Sequence, residues 1–214
     1  MRPKLVIFDC DGVLVDSERL SNEVLQASLS SYGFDLPVDD IMHLFVGGTM
    51  ASVQSEVARR GVVLPQDWVT TINHKVATTL AASVEIVPNV REVLDKLDAA
   101  DIPYAVGSNG PMGKMQATLG RTGLWDRMQG RIYTAHDCAS PKPAPDVYLK
   151  AASLAGVDPR DCAVIEDSAS GARAAVAANM RCFGYCADTS AETLNPFCVA
   201  TFDDMADLPA LLEL

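Results

Sequence analysis

The sequence predicts an α/β protein, and two features of its hydrophobic pattern indicate this class. From residue 87 to the C-terminus, short apolar segments typical of buried strands alternate with helical segments of about a dozen residues. Residues 17–86 carry only helical periodicity, although another apolar strand precedes them near the N-terminus. We therefore expect a doubly wound parallel sheet in a Rossmann-like core formed by residues 1–16 and 87–214, with residues 17–86 inserted as an all-helical cap.

The first predicted strand, residues 5–8, contains only apolar residues and is followed by two acids, Asp9 and Asp11. Such a strand is typical of a parallel sheet covered on both faces. Ligands of open α/β sheets bind beyond the carboxyl ends of the strands, so both carboxylates stand where chemistry is expected. Two alternatives stay open here. Asp11-Gly12 is also a hairpin signal, and Asp9 could open a calcium loop, although leucines would then occupy its glycine and glutamate positions.

Helical periodicity dominates the predicted cap. Apolar residues at positions 20, 24, 25 and 29 recur at the spacing of a helix that begins after Ser17 and stops near Gly33. Further helices are predicted at 38–45, 49–60 and 66–82, and turn residues separate them. A helical insertion that leaves and returns beside the end of the first strand is the arrangement expected of a lid that excludes water.

Strands and helices alternate in the predicted core. The expected helices lie at 88–100, 112–122, 145–155 and 169–179, with a short closing helix from Asp203. The expected strands lie at 102–107, 131–134, 162–165, 181–185 and 199–202. Because helices of this length connect parallel strands, the carboxyl ends of the strands should meet at one edge of the sheet.

Polar residues follow several of these strands. Ser108 and Asn109 come after the second core strand, Lys142 lies in a proline-rich loop after the third, and Glu166 and Asp167 follow the fourth. Taken alone, each segment is equally typical of a turn, an exposed loop or a helix N-cap. Their shared position at strand ends predicts that they converge with the acids of the first strand.

This pattern resembles the motifs of the haloacid dehalogenase superfamily, in its phosphatase and phosphomutase branch. The residues that carry the resemblance are Asp9-x-Asp11-Gly12-x-x-x-Asp16-Ser17, Ser108-Asn109, Lys142, and Glu166-Asp167. The resemblance implies that Asp9 is a nucleophile forming an aspartyl-phosphate, and that Asp11 exchanges protons with the leaving oxygen and the attacking water. Haloacid dehalogenases need neither the second aspartate nor a metal, so the Asp-x-Asp pair favours phosphate chemistry.

The same resemblance implies a Mg²⁺ site, because a cation must bridge a carboxylate nucleophile and an anionic phosphate. Its implied ligands are the carboxylates of Asp9 and Asp167 and the backbone carbonyl of Asp11. Glu166 is implied to bind the metal directly or through water.

The remaining motif residues are implied to hold the phosphoryl group. Ser108, helped by the backbone N–H of Asn109, would bind its oxygens, and Lys142 would hold both the phosphoryl group and Asp9. Two further residues are candidate substrate contacts. Lys114 stands shortly after the second motif, and Gly48 lies where cap loops of related proteins approach the substrate.

We expect a phosphatase acting on a small phosphorylated metabolite, either a sugar phosphate or a sugar-acid phosphate. The run from Ser108 to Lys114 is similar to bacterial sugar-acid phosphatases of the 6-phosphogluconate type. One alternative is a β-phosphoglucomutase-like mutase, which is disfavoured because such mutases carry a histidine on the first cap helix where this chain has Ser21. The other is a catalytically silent, metal-bound interaction protein, which would not need Asp11.

Composition argues against several classes of partner. The chain has 214 residues and a net charge of −11, and nucleic-acid backbones and anionic membranes repel acidic proteins. It contains neither a long apolar run nor a signal-peptide pattern, so we expect a cytoplasmic protein. The six cysteines form no C-x-x-C pair, and in a reducing compartment we expect them to be packing residues.

Overall fold

The computed structural model describes residues 2–45 and 49–214; Gly48, one of the predicted substrate contacts, lies outside these ranges. The strands of the described residues are β1 Leu5–Phe8, β2 Val15–Asp16, β3 Glu85–Ile86, β4 Tyr104–Ser108, β5 Ile132–Thr134, β6 Cys162–Glu166, β7 Arg181–Tyr185 and β8 Ala200–Phe202. Their α-helices are α1 Glu18–Ser30, α2 Val38–Phe45, α3 Met50–Arg59, α4 Trp68–Ser83, α5 Val90–Ala99, α6 Met112–Arg121, α7 Trp125–Met128, α8 Asp146–Ala155, α9 Ala169–Ala177, α10 Ala191–Leu194 and α11 Leu208–Leu211.

Six strands form one parallel sheet in the order β5-β4-β1-β6-β7-β8, which confirms the predicted α/β fold. β1 lies in the middle of the sheet, and all four of its residues are buried. Phe8 is in register with Val106 of β4 and with Ile165 of β6. Because β1 pairs in parallel on both sides, the hairpin alternative for Asp11-Gly12 is wrong.

The chain divides into two compact units, and each is built around its own core. One unit comprises Met1–Asp16 and Glu85–Leu214, and the other comprises Ser17–Val84. The return to the first unit begins with β3, which pairs antiparallel with β2 and places Ile86 opposite Val15.

The second unit contains α1 to α4. α1 packs against α2 and α4, and α3 packs against α4. The apolar faces of these helices supply its buried residues, among them Leu25, Leu29, Ile41, Val53, Val57, Ile72 and Leu80. The buried indole of Trp68 donates a hydrogen bond to the hydroxyl of Ser28 at 3.0 Å, which ties α4 to α1.

In the first unit, α8 and α9 pack against strands of the parallel sheet. Leu5 and Ile7 of β1 contribute to this apolar cluster, together with Tyr148 of α8 and several alanines of α9. Alanine side chains allow a helix to lie close to a sheet, so α9 brings the residues at its N-terminus near the end of β6. Across the described part of the chain, no helix combines the length and apolar character of a membrane span. Each of the six cysteines is a free thiol.

Candidate active site

The candidate site lies at the carboxyl ends of three adjacent strands. Asp9 follows β1, Ser108 ends β4 and Glu166 ends β6. The chain winds outward in one direction through β4 and β5 and in the other through β6 to β8, so β1 and β6 flank the point where the strand order reverses. The backbone N–H of Asp9 donates to the carbonyl of Ile165 at 2.9 Å, which extends the pairing of β1 and β6 up to the acids.

Asp9 is a nearly buried carboxylate with a cation beside it. Its side chain accepts a hydrogen bond from the ammonium of Lys142, with 2.8 Å between Nζ and Oδ1. Burial raises the pKa of Asp9 to about 7, although the charge of Lys142 acts in the opposite direction. A cation bound at this carboxylate would favour its charged form.

Lys142 connects two carboxylates. Its ammonium donates to Asp9 and also to Oε1 of Glu166, at 2.6 Å. Only 7% of the lysine and none of Glu166 is exposed, so both charges act in a medium of low dielectric constant. Burial by itself lowers the pKa of Lys142, but attraction to Asp9 and Glu166 outweighs burial and holds that pKa above its ordinary value.

Glu166 is saturated with hydrogen bonds. Its Oε1 accepts from Lys142 and from the hydroxyl of Tyr148, both at 2.6 Å. Its Oε2 accepts from the backbone N–H of Ser168 at 3.0 Å and from the hydroxyl of that residue at 2.8 Å. Burial alone raises the pKa of Glu166, but the charge of Lys142 and these hydrogen bonds hold it below its ordinary value. Glu166 therefore stays ionised as the counter-ion of the lysine.

Three carboxylates form a cluster that could hold a metal ion. Asp9, Glu166 and Asp167 each offer an oxygen, and these atoms lie within 4.8 Å of one another. Hard oxygen donors of this kind suit Mg²⁺. Gly12 adjoins the cluster with a left-handed φ of 73°, and a Cβ at this residue would overlap Oδ2 of Asp167. Only glycine leaves room for that carboxylate. Because the three carboxylates offer hard oxygen donors close together, the residues present fit a divalent cation.

Ser108 and Asp11 border a common point at the end of β4. A Cβ added to Gly110 would lie 3.3 Å from Oγ of Ser108 and 3.5 Å from Oδ2 of Asp11. The Ser108 hydroxyl accepts the backbone N–H of Gly110 at 2.9 Å. The buried hydroxyl of Thr134, at the end of β5, donates to the carbonyl of Gly110 at 2.7 Å and braces the turn. The loop after β4 is therefore held next to the loop after β1.

The side chain of Asn109 is hydrogen-bonded to the backbone of Lys142, the candidate catalytic lysine. Its Oδ1 accepts the backbone N–H of Lys142 at 2.9 Å, and its Nδ2 donates to the backbone carbonyl of Lys142 at 3.4 Å. From the sequence, only the backbone N–H of Asn109 was predicted to take part in the site. The carboxamide holds the loop that carries Lys142 against the end of β4.

Lys114 contacts a predicted catalytic residue. Its ammonium lies 2.8 Å from Oδ1 of Asp11, and both side chains are partly accessible to solvent. This pair was not anticipated from the sequence, which suggested only that Lys114 could meet an anionic substrate.

Three residues that support the site were not predicted from the sequence. Tyr148 and Gly171 surround Glu166, and a Cβ on Gly171 would overlap the Glu166 carboxylate. Thr134 braces the turn at Gly110. An aromatic residue in an amphipathic helix and a glycine in an alanine-rich helix are typical of packing, so local sequence offered no signal for their roles.

Cys10, between the two acids, is fully buried. Burial raises the pKa of its thiol well above the ordinary value, so the thiol remains protonated and does not act as a nucleophile. This agrees with its expected packing role.

Comparisons with known proteins identify relatives along the whole chain. Residues 3–179 match the family model of haloacid dehalogenase-like hydrolases. The 6-phosphogluconate phosphatase of Escherichia coli (strain K12) is 28% identical over 98% of this chain and 95% of its own. A haloacid dehalogenase-like protein from Agrobacterium tumefaciens str. C58 is 30% identical, with a TM-score of 0.92 over 98% of this chain and 97% of its own. A family hydrolase from Deinococcus radiodurans R1, solved with bound phosphate and sodium, is 30% identical, with a TM-score of 0.89 over 99% and 96% of the two chains.

Proposed function

The chain belongs to the haloacid dehalogenase-like hydrolases, and on that premise we propose that it is a Mg²⁺-dependent phosphatase that works through an aspartyl-phosphate at Asp9. The curated relatives of this chain include phosphatases whose names specify phosphorylated small molecules as substrates. The observation that carries the proposal is the buried contact between Lys142 and Asp9 beside the carboxylate of Asp167. This arrangement provides a nucleophile, a fixed positive charge and oxygen donors for a metal at one point.

Asp9 has the position that a phosphoryl acceptor requires. The end of β1 holds its backbone, and Lys142 holds its carboxylate, so little reorganisation is needed before attack. In the first step, a carboxylate oxygen of Asp9 attacks phosphorus and the bond to the leaving oxygen breaks. In the second step, water attacks the same phosphorus, inorganic phosphate leaves and Asp9 is regenerated.

Asp11 would serve as the acid and base of the two steps. It protonates the leaving oxygen in the first step and removes a proton from water in the second. The side chains of Asp11 and Ser108 border the same point, and we assign Ser108 to the binding of a phosphoryl oxygen. Lys142 would stabilise the charge that develops on the phosphoryl group, with its backbone held by Asn109.

Asp9 and Asp167 are the side chains that would hold Mg²⁺ directly, with the backbone carbonyl of Asp11. The bound ion supplies positive charge that offsets repulsion between the carboxylate and the anionic substrate. Because the two oxygens of Glu166 already accept four hydrogen bonds, we assign Glu166 to Lys142 and to metal contact through water.

We infer that the substrate is a sugar phosphate or a sugar-acid phosphate. The similarity to the phosphatase from Escherichia coli over nearly the full length of both chains supports this class. Lys114 supports it as well, because its ammonium stands beside Asp11 and could meet a second anionic group of the substrate.

The proposal is tested with Asp9→Asn, which keeps the shape of the side chain and removes the nucleophile. Phosphate release is measured over a panel of sugar, sugar-acid and small acid phosphates, with and without EDTA. Asp158→Asn is the control, since Asp158 is an exposed acid paired with Arg160. We expect the wild type and the control to release phosphate only with Mg²⁺, and Asp9→Asn to release none above background.

The covalent step has its own readout. Borohydride quenching of the wild type during turnover should convert Asp9 to homoserine, which peptide mass spectrometry detects. Turnover by Asp9→Asn at a rate close to wild type would eliminate the mechanism. Conversion of a substrate to its phosphate isomer without phosphate release would identify the mutase instead, and inactivity of the wild type on the whole panel would favour a binding protein.

A further inference from the structure

Tyr148 is the residue that connects the packing of α8 to the charged centre. It is fully buried, and its ring lies against the backbone of Gly107 on β4, where an added Cβ would come within 3.0 Å of the ring. Its hydroxyl donates to Oε1 of Glu166 at 2.6 Å. The ring also faces Lys142, with 4.7 Å between the ammonium nitrogen and the ring centroid.

Two shared hydrogen-bonding groups set the position of the lysine. Oε1 of Glu166 accepts from both Tyr148 and Lys142, while the ammonium of Lys142 donates to both Glu166 and Asp9. A donor that occupies Oε1 reduces the charge that this oxygen presents to the lysine. The tyrosine hydroxyl therefore weakens the hold of Glu166 on Lys142 and leaves more of the ammonium for Asp9.

The tyrosine can act only as a donor here. Burial and the charge of Glu166 raise the pKa of the Tyr148 hydroxyl well above its ordinary value, so the proton stays on the phenol oxygen. The ring is confined by Gly107 on one side and by Lys142 on another, so the hydroxyl cannot leave Glu166 without displacing packed atoms.

We propose that Tyr148 is a positioning residue that determines how Lys142 is shared between Glu166 and the phosphoryl-accepting Asp9. This inference rests on the proposed function, because the lysine matters for catalysis only if Asp9 accepts a phosphoryl group. Tyr148 is fully buried, so its side chain offers no surface to a substrate. Its effect reaches the reaction through the placement of the lysine charge.

Tyr148→Phe removes the hydroxyl and keeps the ring. Oε1 of Glu166 then has Lys142 as its remaining donor among the hydrogen bonds described above, and we expect Glu166 to hold the ammonium more strongly. Because Lys142 acts on charge that develops during transfer, we expect kcat to fall about tenfold while KM changes less than about threefold. Orthovanadate adopts the five-coordinate geometry of the transferring group, so its inhibition constant should rise in parallel with the loss of kcat.

Tyr104→Phe is the matched control. Tyr104 is also a buried tyrosine, and its hydroxyl accepts a hydrogen bond from Arg127 at 2.9 Å. It stands at the opposite end of β4 from Ser108. The control therefore also loses a hydrogen bond between a buried tyrosine and a charged partner, but it does so without touching Lys142, and we expect its kcat and vanadate inhibition to match wild type.

A double-mutant cycle with Glu166→Gln tests the route of the effect. If Tyr148 acts through the charge of Glu166, Tyr148→Phe should change the kcat of the Glu166→Gln protein less than about twofold. Glu166→Gln itself removes one of the two carboxylate partners of Lys142, so kcat is compared only at a temperature where circular dichroism shows all four proteins of the cycle to be folded.

The outcomes separate this inference from the proposed function. Wild-type kcat in Tyr148→Phe, an equal loss in Tyr104→Phe, or a tenfold effect that persists in the Glu166→Gln background would overturn the positioning role. Absence of turnover by the wild type would instead overturn the phosphatase assignment. A loss confined to Tyr148→Phe and abolished by Glu166→Gln supports the inference.

Discussion

Gly171 offers the sharpest test of the buried charges, because it is the residue that leaves room for Glu166. A Cβ at position 171 would overlap both carboxylate oxygens of Glu166, which is fully buried and hydrogen-bonded to Lys142, Tyr148 and Ser168. Gly171→Ala should therefore displace the carboxylate and leave the lysine charge without one of its two carboxylate partners. Replacement of glycine by alanine in a helix ordinarily has the opposite effect and stabilises the helix.

The size of the effect follows from two opposing contributions. Gly171 lies in the first turn of α9, where alanine gains at most about 1 kcal/mol over glycine. Loss of one partner from a buried ion pair costs about 3–5 kcal/mol. We expect the free energy of unfolding to fall by about 2–4 kcal/mol, the net of these two terms. For a chain of this length, that loss corresponds to a melting temperature about 4–16 °C lower.

The assay is urea and thermal unfolding, followed by circular dichroism, together with turnover at a temperature where all variants are folded. Gly120→Ala is the control, since Gly120 lies in α6 and no atom outside the helix backbone comes within 4 Å of an added Cβ. We expect the control to melt at or slightly above the wild-type temperature. If Gly171→Ala is as stable as the control and retains wild-type turnover, the close packing of Glu166 described here is incorrect.

Three further predictions concern the residues around this centre. Gly12→Ala should weaken Mg²⁺ binding at least about tenfold in calorimetry, because its Cβ would displace the side chain of Asp167. Gly61→Ala is the control, since Gly61 also has a positive φ but has open space around an added Cβ. This control should lose about 1 kcal/mol of stability without a change in metal affinity. Asn109→Ala should lower kcat by about tenfold, because it removes the carboxamide that holds the backbone of Lys142, and stopped-flow turnover that equals wild type would contradict this. Mg²⁺ affinity should weaken as the pH falls through about 7, because the raised pKa of Asp9 lets protons compete with the metal for this carboxylate. A Mg²⁺ affinity that is constant from pH 8 to pH 6 would exclude this competition.

Much of the fold follows from patterns between neighbouring residues. The alternation of buried apolar strands with helices of sufficient length predicts a parallel sheet, and the structure has six parallel strands. The helical periodicity of α1, α3 and α4 was equally visible, because apolar residues at helical spacing need no tertiary contact to be recognised.

The convergence of the site could also be foreseen in part. Asp9, Ser108 and Glu166 each stand at the carboxyl end of a strand, and parallel pairing brings such ends to one edge. The contact of Lys142 with Asp9 was expected from the resemblance to a known family and is present at 2.8 Å. Its loop has no regular structure that would specify this contact locally.

The sequence by itself therefore determined the order of the elements and the edge at which the polar residues gather, since both depend on local periodicity and on the rule that connects parallel strands. Only the tertiary structure decided that Tyr148 donates to Glu166, that Asn109 holds the backbone of Lys142, and that glycine is required at position 171. These contacts join residues far apart in the chain, and they depend on differences of about an ångström in packing, which no pattern of neighbouring residues records.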